Sequence, residues 1–237
     1  MSWIEFWDGR PIIYVSARHK QAHYRLVADG LIEQLGDSRP VVLDYGCGEA
    51  LFAADVASRC ERLYLCDAAP SVRADLARRS TDLSGIVILA PEQQADLAAG
   101  SVDLIVVNSV VQYLPADLLD SCLRQWSRLL APGGRLLLAD VIPRTVGPVT
   151  DAAALLSFAR CEGFFLSACV GLVRIVFSRY RKIRSELGLR QFDEAEMLAL
   201  LSAHGFDARR HRPNLGHNQS RMAFVAKHRA VTSGTHA

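Results

Sequence analysis

Val41-Val42-Leu43-Asp44-Tyr45-Gly46-Cys47-Gly48-Glu49-Ala50-Leu51-Phe52-Ala53 reads as an apolar strand running into a glycine turn that opens a helix, with an acid inside the turn. Glycines at 46 and 48 let the backbone pass close to a bound molecule, where a side chain would take the ligand's space. The helix expected next presents unpaired amides. Such a layout makes a cofactor cradle.

Two chemistries use a cradle of this kind, and the spacing separates them. The nicotinamide and flavin fingerprint places a third glycine where this chain has Leu51, because pyrophosphate needs a wide opening at the helix N-terminus. Asp44, two residues before the first glycine, would repel a diphosphate but suits a cationic ligand. Both features argue against a dinucleotide oxidoreductase.

Outward from the cradle, segments at 41–45, 62–66, 86–89, 102–108 and 134–142 read as strands alternating with helices. This is the pattern of a parallel sheet covered on both faces. The apolar run ending at Asn108 and Ser109 marks a buried parallel strand, and open α/β sheets hold ligands at such carboxyl ends. Ala131-Pro132-Gly133-Gly134 reads as a turn feeding the fifth strand.

The 237 residues are half apolar, enough for one full α/β core, and the net charge of +2 makes no electrostatic case for a nucleic-acid partner. Six cysteines (47, 60, 66, 122, 161 and 169) show no CxxC pair and no Cys/His grouping at zinc spacing. They read as buried thiols in a reducing cytoplasm, and no metal is expected. Tryptophans and acids occupy the N-terminus where a signal peptide needs a basic and then an apolar stretch.

LDYGCG at 43–48, LYLCD at 63–67, SVDLIVVNSVVQYLP at 101–115 and LLAPGGRLLLADV at 129–141 follow one another in register. In these four motifs the chain resembles the class I S-adenosylmethionine-dependent methyltransferases over roughly residues 40 to 142. The resemblance implies a doubly wound, mostly parallel seven-stranded sheet of Rossmann-like type. Its last strands, 206–212 and 221–226 here, would form an antiparallel edge hairpin after a helix over 193–203. It also implies S-adenosylmethionine as cofactor and S-adenosylhomocysteine as product.

Asp67 ends the second strand 19 positions after Gly48, where a carboxylate can accept from both ribose hydroxyls. The same residue can instead be the turn aspartate before the helix that Pro70 starts. Cys47 and Ala68 flank these positions. Where the family has an aspartate for the adenine amino group this chain has Pro91, so Glu92 or Gln93 is the substitute candidate. The family further implies that a backbone carbonyl at Asn108 or Ser109 meets the methionyl ammonium. Gln112 and Tyr113 then face the active-site side or cap the next helix.

Segments outside the core should carry substrate choice. Residues 1–40 read as a helical lid in which Tyr14 or Tyr24 covers the cofactor and Arg18 or Arg25 pairs with its carboxylate. His19 and His23 share one helix face, a spacing that without a third ligand is a packing or solvated pair. Residues 41–143 form the cofactor-binding core, 144–190 a helical cap insert, 191–228 the last helix and hairpin, and 229–237 a frayed tail.

Phe164 to Phe177 holds one charge, Arg174, and is too short to span a bilayer. Arg179, Arg181, Lys182 and Arg184 follow it. A buried cap helix, an apolar wall for a hydrophobic acceptor, a peripheral contact with anionic lipid and a homodimer face all remain open for this segment. In the polar cluster Asn214 to Arg221, His217 is either a general base or a plain turn histidine, and Tyr113 is a second catalytic candidate. The expected activity is methyl transfer to a small-molecule acceptor, apolar or lipid-like. The alternative is a protein that binds the cofactor for interaction or regulation without turnover.

Overall fold

A computed structural model describes residues 2–9, 11, 13–176 and 188–229. Strands β1 (Val41–Tyr45), β2 (Arg62–Cys66), β3 (Ile86–Leu89), β4 (Val102–Asn108), β5 (Leu130–Val141), β6 (Phe206–His211) and β7 (Met222–His228) form one sheet. Their order is β3-β2-β1-β4-β5-β7-β6. β1 to β5 pair in parallel, while β7 runs antiparallel to both β5 and β6. β7 is therefore the single reversed strand, held between β5 and β6.

Alternation along the strands divides the core into two layers. On one face Leu43, Ile105, Val107, Leu136 and Leu138 pack with Leu123 and Trp126 of α5 (Ala116–Leu129) and Met197 of α8 (Glu194–Ala203). On the other, Val42, Leu65, Val106 and Leu137 meet Leu31 of α2 (Ala17–Leu35), Val56 of α3 (Ala53–Ala57) and Leu76 of α4 (Pro70–Arg79). Leu104 to Val107 are all buried because helices cover both sides, and so the run is continuous rather than alternating in polarity.

The turn expected at 131–134 is instead an irregular start of β5. Val102 pairs with Leu130 and Leu104 with Arg135, so the partner strand takes three extra residues between those pairs. Gly134 permits this, since a Cβ there would lie 2.9 Å from the Ala131 carbonyl oxygen.

Outside the sheet, the 1–40 segment read as a helical lid holds two helices, a short α1 (Trp3–Asp8) and the longer α2. α2 starts where the Ser16 Oγ accepts the His19 N–H at 3.1 Å, and it runs ten residues beyond Arg25 to Leu35. The insert folds as α6 (Pro148–Cys161) and α7 (Phe165–Val176). Phe177 and the cations at 179, 181, 182 and 184 lie outside the described residues. Cys47, Cys60, Cys66 and Cys122 are buried as expected, but Cys161 is exposed and Cys169 half-buried, because both sit on the outer sides of the insert helices. No described helix is long and apolar enough to cross a membrane.

Candidate functional site

The carboxyl ends of β1, β2, β4 and β5 border one cavity of about 1180 Å³. The sheet order reverses between β1 and β4, the position at which α/β folds open a crevice. Gly46 and Gly48 turn the chain with φ of 72° and 58°, in the left-handed region that glycine enters without strain. The helix expected directly after Gly48 begins only at Ala53. The amides of the turn are used otherwise. Gly46 and Cys47 donate to the Cys66 carbonyl at 2.7 and 3.1 Å, Gly48 to Asp67 Oδ2 at 3.0 Å, and Glu49 to the Tyr24 hydroxyl at 2.9 Å. These bonds stitch the turn to β2 and α2 and consume the amides that a pyrophosphate would need.

Asp67 also accepts the Ala69 N–H at 2.8 Å through Oδ1, so it acts as the turn aspartate before Pro70. A carboxylate has about four lone-pair sites and two are taken here, which leaves acceptors for hydroxyl donors in the cavity. Burial raises the Asp67 carboxyl above its ordinary range despite those two bonds. Asp44 lies beneath the turn, and burial together with the charge of Asp67 pushes it up to about 7. Burial also raises the Cys47 thiol, which stays neutral.

A second wall grows from the ends of β4 and β5. Ser109 and Asp140 adopt φ of 59° and 57°, values that cost residues with side chains about 1 to 2 kcal/mol each. Hydrogen bonds hold them there: Ser109 Oγ donates to Asp140 Oδ2 at 2.6 Å, and the Asp140 N–H donates to Asn214 Oδ1 at 2.8 Å. Arg221 joins this pair to the insert, donating to Asp140 Oδ2 at 3.3 Å and to both Asp151 oxygens at 3.0 Å. Asn218 Nδ2 reaches Asp151 Oδ1 at 2.8 Å.

Asp140, Asp151 and Arg221 all border the cavity, and none stood out in the sequence. The signal was present for Asp140, which ends a parallel strand just as Asp67 does. Replacing Arg221 by methionine strands two largely buried carboxylates, and removal of one partner from such a cluster costs about 3 kcal/mol. At 2–4 °C per kcal/mol for a chain of this size, thermal unfolding should shift down by about 6 to 12 °C. An unchanged midpoint would show that the cluster holds nothing together.

The third wall is aromatic. α1 is tied to α4 by the Ser71 N–H donating to Asp8 Oδ1 at 2.7 Å and Ser71 Oγ donating to the Asp8 carbonyl at 2.9 Å. This anchor brings the rings of Trp3 and Trp7 to 4.6 and 5.6 Å from that of Tyr113. Tyr14 lies against His19, His23 and Tyr24 at 5.3 to 5.9 Å. His217 stacks on Phe158 at 4.9 Å. Burial lowers His19 and His23 to about 4, and it lowers His217 although Asp140 and Asp151 pull the other way. All three imidazoles are neutral at neutral pH.

Ala68, Glu92, Asn108 and Ser109 line the cavity as well, but three sequence candidates do not. Gln93 turns back to accept the Ala90 N–H at 2.8 Å. Arg18 is exposed and donates to the Glu162 carbonyl. Arg25 pairs with Asp55 at 2.7 Å and lies over the Phe52 ring at 3.7 Å. In each case a nearer partner outside the cavity takes the side chain. Among the described residues, no donor reaches two buried acceptors bordering the cavity, Asn108 Oδ1 and Gln112 Oε1. A ligand with N–H groups at this end would satisfy them.

Residues 43–138 match the family model described as a methyltransferase domain. No curated protein matches the chain. The structure is similar to that of the DhpI–SAH complex, at 13% identity and a TM-score of 0.58 over 95% of this chain and 94% of that one. It is also similar to magnesium protoporphyrin IX methyltransferase from Synechocystis PCC 6803 with bound SAH, at 16% identity and 0.57 over 95% and 94%. YcgJ from Bacillus subtilis aligns at 15% identity and 0.54 over 78% and 69%. At these identities the structural likeness speaks for the fold. The family match falls on the segment that builds the cradle and strands β1 to β5, so the likeness to a methyltransferase domain is carried by the residues that border the cavity at the strand ends.

Proposed function

We propose that this protein is an S-adenosylmethionine-dependent methyltransferase that acts on a small acceptor with an apolar body, bound in the same cavity as the cofactor. The observation that carries this reading is the cavity itself. Its volume of about 1180 Å³ exceeds the roughly 300–1,000 Å³ of a pocket for one drug-sized ligand. It borders polar groups at the strand ends and aromatic and aliphatic side chains from α1, α6 and α7 opposite them.

The residues fit the cofactor. Asp67 offers its remaining lone pairs to ribose hydroxyls, and Glu92 stands near the site for the adenine amino group. Asp44, Asn108 and the Ser109 carbonyl form an acceptor-rich end suited to a cationic ligand. Tyr14 and Tyr24 cover the turn. When bound, the cofactor supplies a methyl group on a positively charged sulfur, already activated for transfer. The chain contributes position and exclusion of water: α1 and the aromatic wall close over the reacting region. His217, neutral in its stack on Phe158, is the group able to take a proton from an acceptor hydroxyl or amine, with Tyr113, which also lines the cavity, as the second polar group.

The test is calorimetric titration with S-adenosylmethionine and S-adenosylhomocysteine, followed by mass spectrometry of apolar phenols, acids and amines incubated with enzyme and cofactor. Methylated product from these compounds is expected. Transfer confined to fully polar acceptors would overturn the acceptor class while leaving the enzyme class intact.

Cofactor affinity should depend on pH through Asp44. Its folded pKa lies above the unfolded one, so in the free protein its contribution to stability is present in acid and is lost as pH rises through about 7. A cationic ligand needs the ionised form and binds best above that value. Between pH 6 and pH 8 the association constant should rise about tenfold, with proton release below pH 7. Asp44→Asn should flatten the profile. A profile equally steep in that variant would assign the titration to another group.

A further inference from the structure

α7 turns opposite faces to two different environments. On its inner side Ala168 is buried, Leu172 borders the cavity, and Gly171 packs so tightly on the lid that a Cβ there would lie 2.1 Å from Val15 Cγ1. On its outer side Leu166 is 80%, Val170 53% and Val173 63% exposed, with half-exposed Phe165 beside them. These positions follow helical spacing of four and three residues, so they form one stripe. A stripe of uncovered aliphatic side chains on a soluble surface marks a contact site.

Charge and area select the occupant. Arg174 is exposed at the end of the stripe, and the sequence continues with Arg179, Arg181, Lys182 and Arg184 and no acid as far as position 184. By sequence, Arg174 is the first of five cations within positions 174 to 184, in a chain whose net charge is only +2. The occupant therefore presents dense negative charge together with an apolar phase. One face of a twelve-residue helix, about 18 Å long and 10 Å wide, offers on the order of 200 Å². That is far below the roughly 800 Å² that each partner of a stable protein complex buries, so a second copy of this chain is poorly served. A bilayer needs no matching surface: an amphipathic helix sinks its apolar face into the boundary between headgroups and acyl chains, and cations hold it to anionic lipid.

We propose that the outer face of α7 docks the enzyme on anionic membrane surfaces, with Leu166, Val170 and Val173 entering the lipid and Arg174 at the headgroups. The helix then stands between bilayer and cavity, since its inner face carries Leu172. This surface does not depend on the identity of the acceptor and can be tested without turnover.

The full chain should co-float with phosphatidylcholine vesicles containing phosphatidylglycerol, float far less with phosphatidylcholine alone, and dissociate as salt is raised. Leu166→Glu combined with Val173→Glu should weaken vesicle binding at least about tenfold. Its thermal midpoint and S-adenosylhomocysteine affinity should not change, because both side chains already face water. Arg174→Glu should weaken binding to anionic vesicles only. Failure of the wild-type chain to bind anionic vesicles would overturn the proposal. So would a double variant that floats like wild type, or sedimentation showing a dimer that the double variant dissociates.

Discussion

Asp67→Ala is expected to weaken S-adenosylmethionine and S-adenosylhomocysteine binding by about a hundredfold, read by calorimetric titration. Two hydrogen bonds from ligand hydroxyls to a carboxylate contribute about 1.5 kcal/mol each at the low end, and each 1.4 kcal/mol is a factor of ten. The carboxylate also accepts the Gly48 and Ala69 amides, so the variant leaves two turn donors unpaired. Its free form should therefore unfold a few degrees lower, by about 1 to 2 kcal/mol of lost capping. Comparison with Ala69→Pro, which removes one of those donors and keeps the carboxylate, separates the two effects. If Asp67→Ala binds within threefold of wild type, the carboxylate serves the turn alone.

Strand positions were legible because the sheet is built of buried runs whose ends coincide with polar or glycine residues. β1, β2, β3 and β4 occupy the ranges read from sequence, and β5 differs only because its glycines make a bulge rather than a turn. That the lid begins with a separate small helix, α1, was illegible for a physical reason. Six residues cannot hold a helix alone, and what fixes them is a contact 63 positions away, between Asp8 and Ser71. The delayed start of α3 at Ala53 has a similar origin, since the turn amides find partners on β2 and α2 that no local pattern reveals.

The site was legible where one residue carries the signal and illegible where several share it. Gly46, Gly48 and Asp67 border the cavity, each announced by its place at a strand end or turn. The Asp140–Asn214–Arg221–Asp151 cluster joins β5, α6 and the loop between β6 and β7, and its members are ordinary polar residues until the fold brings them together. Charge alone misled at Arg18 and Arg25. A guanidinium on the lid helix pairs with the nearest available oxygen, and those oxygens belong to Glu162 and Asp55.

Gly46→Ala should produce the largest loss of stability in the cradle. Its φ of 72° costs an alanine about 1 kcal/mol, and the new Cβ would lie 2.3 Å from Val110 Cγ2, a branched side chain with no easy rotamer escape. Overpacking of that kind adds about 1 to 3 kcal/mol, so the thermal midpoint should drop by about 4 to 16 °C at 2–4 °C per kcal/mol. Any shift that relieves the contact moves the turn relative to Asp67, so cofactor affinity should fall with stability. Val110→Ala on the Gly46→Ala background removes the overlapping methyl but not the φ cost, and part of the lost midpoint should return. Additive losses in the double variant would mean that the backbone conformation alone, and not the approach of Val110, demands glycine at position 46.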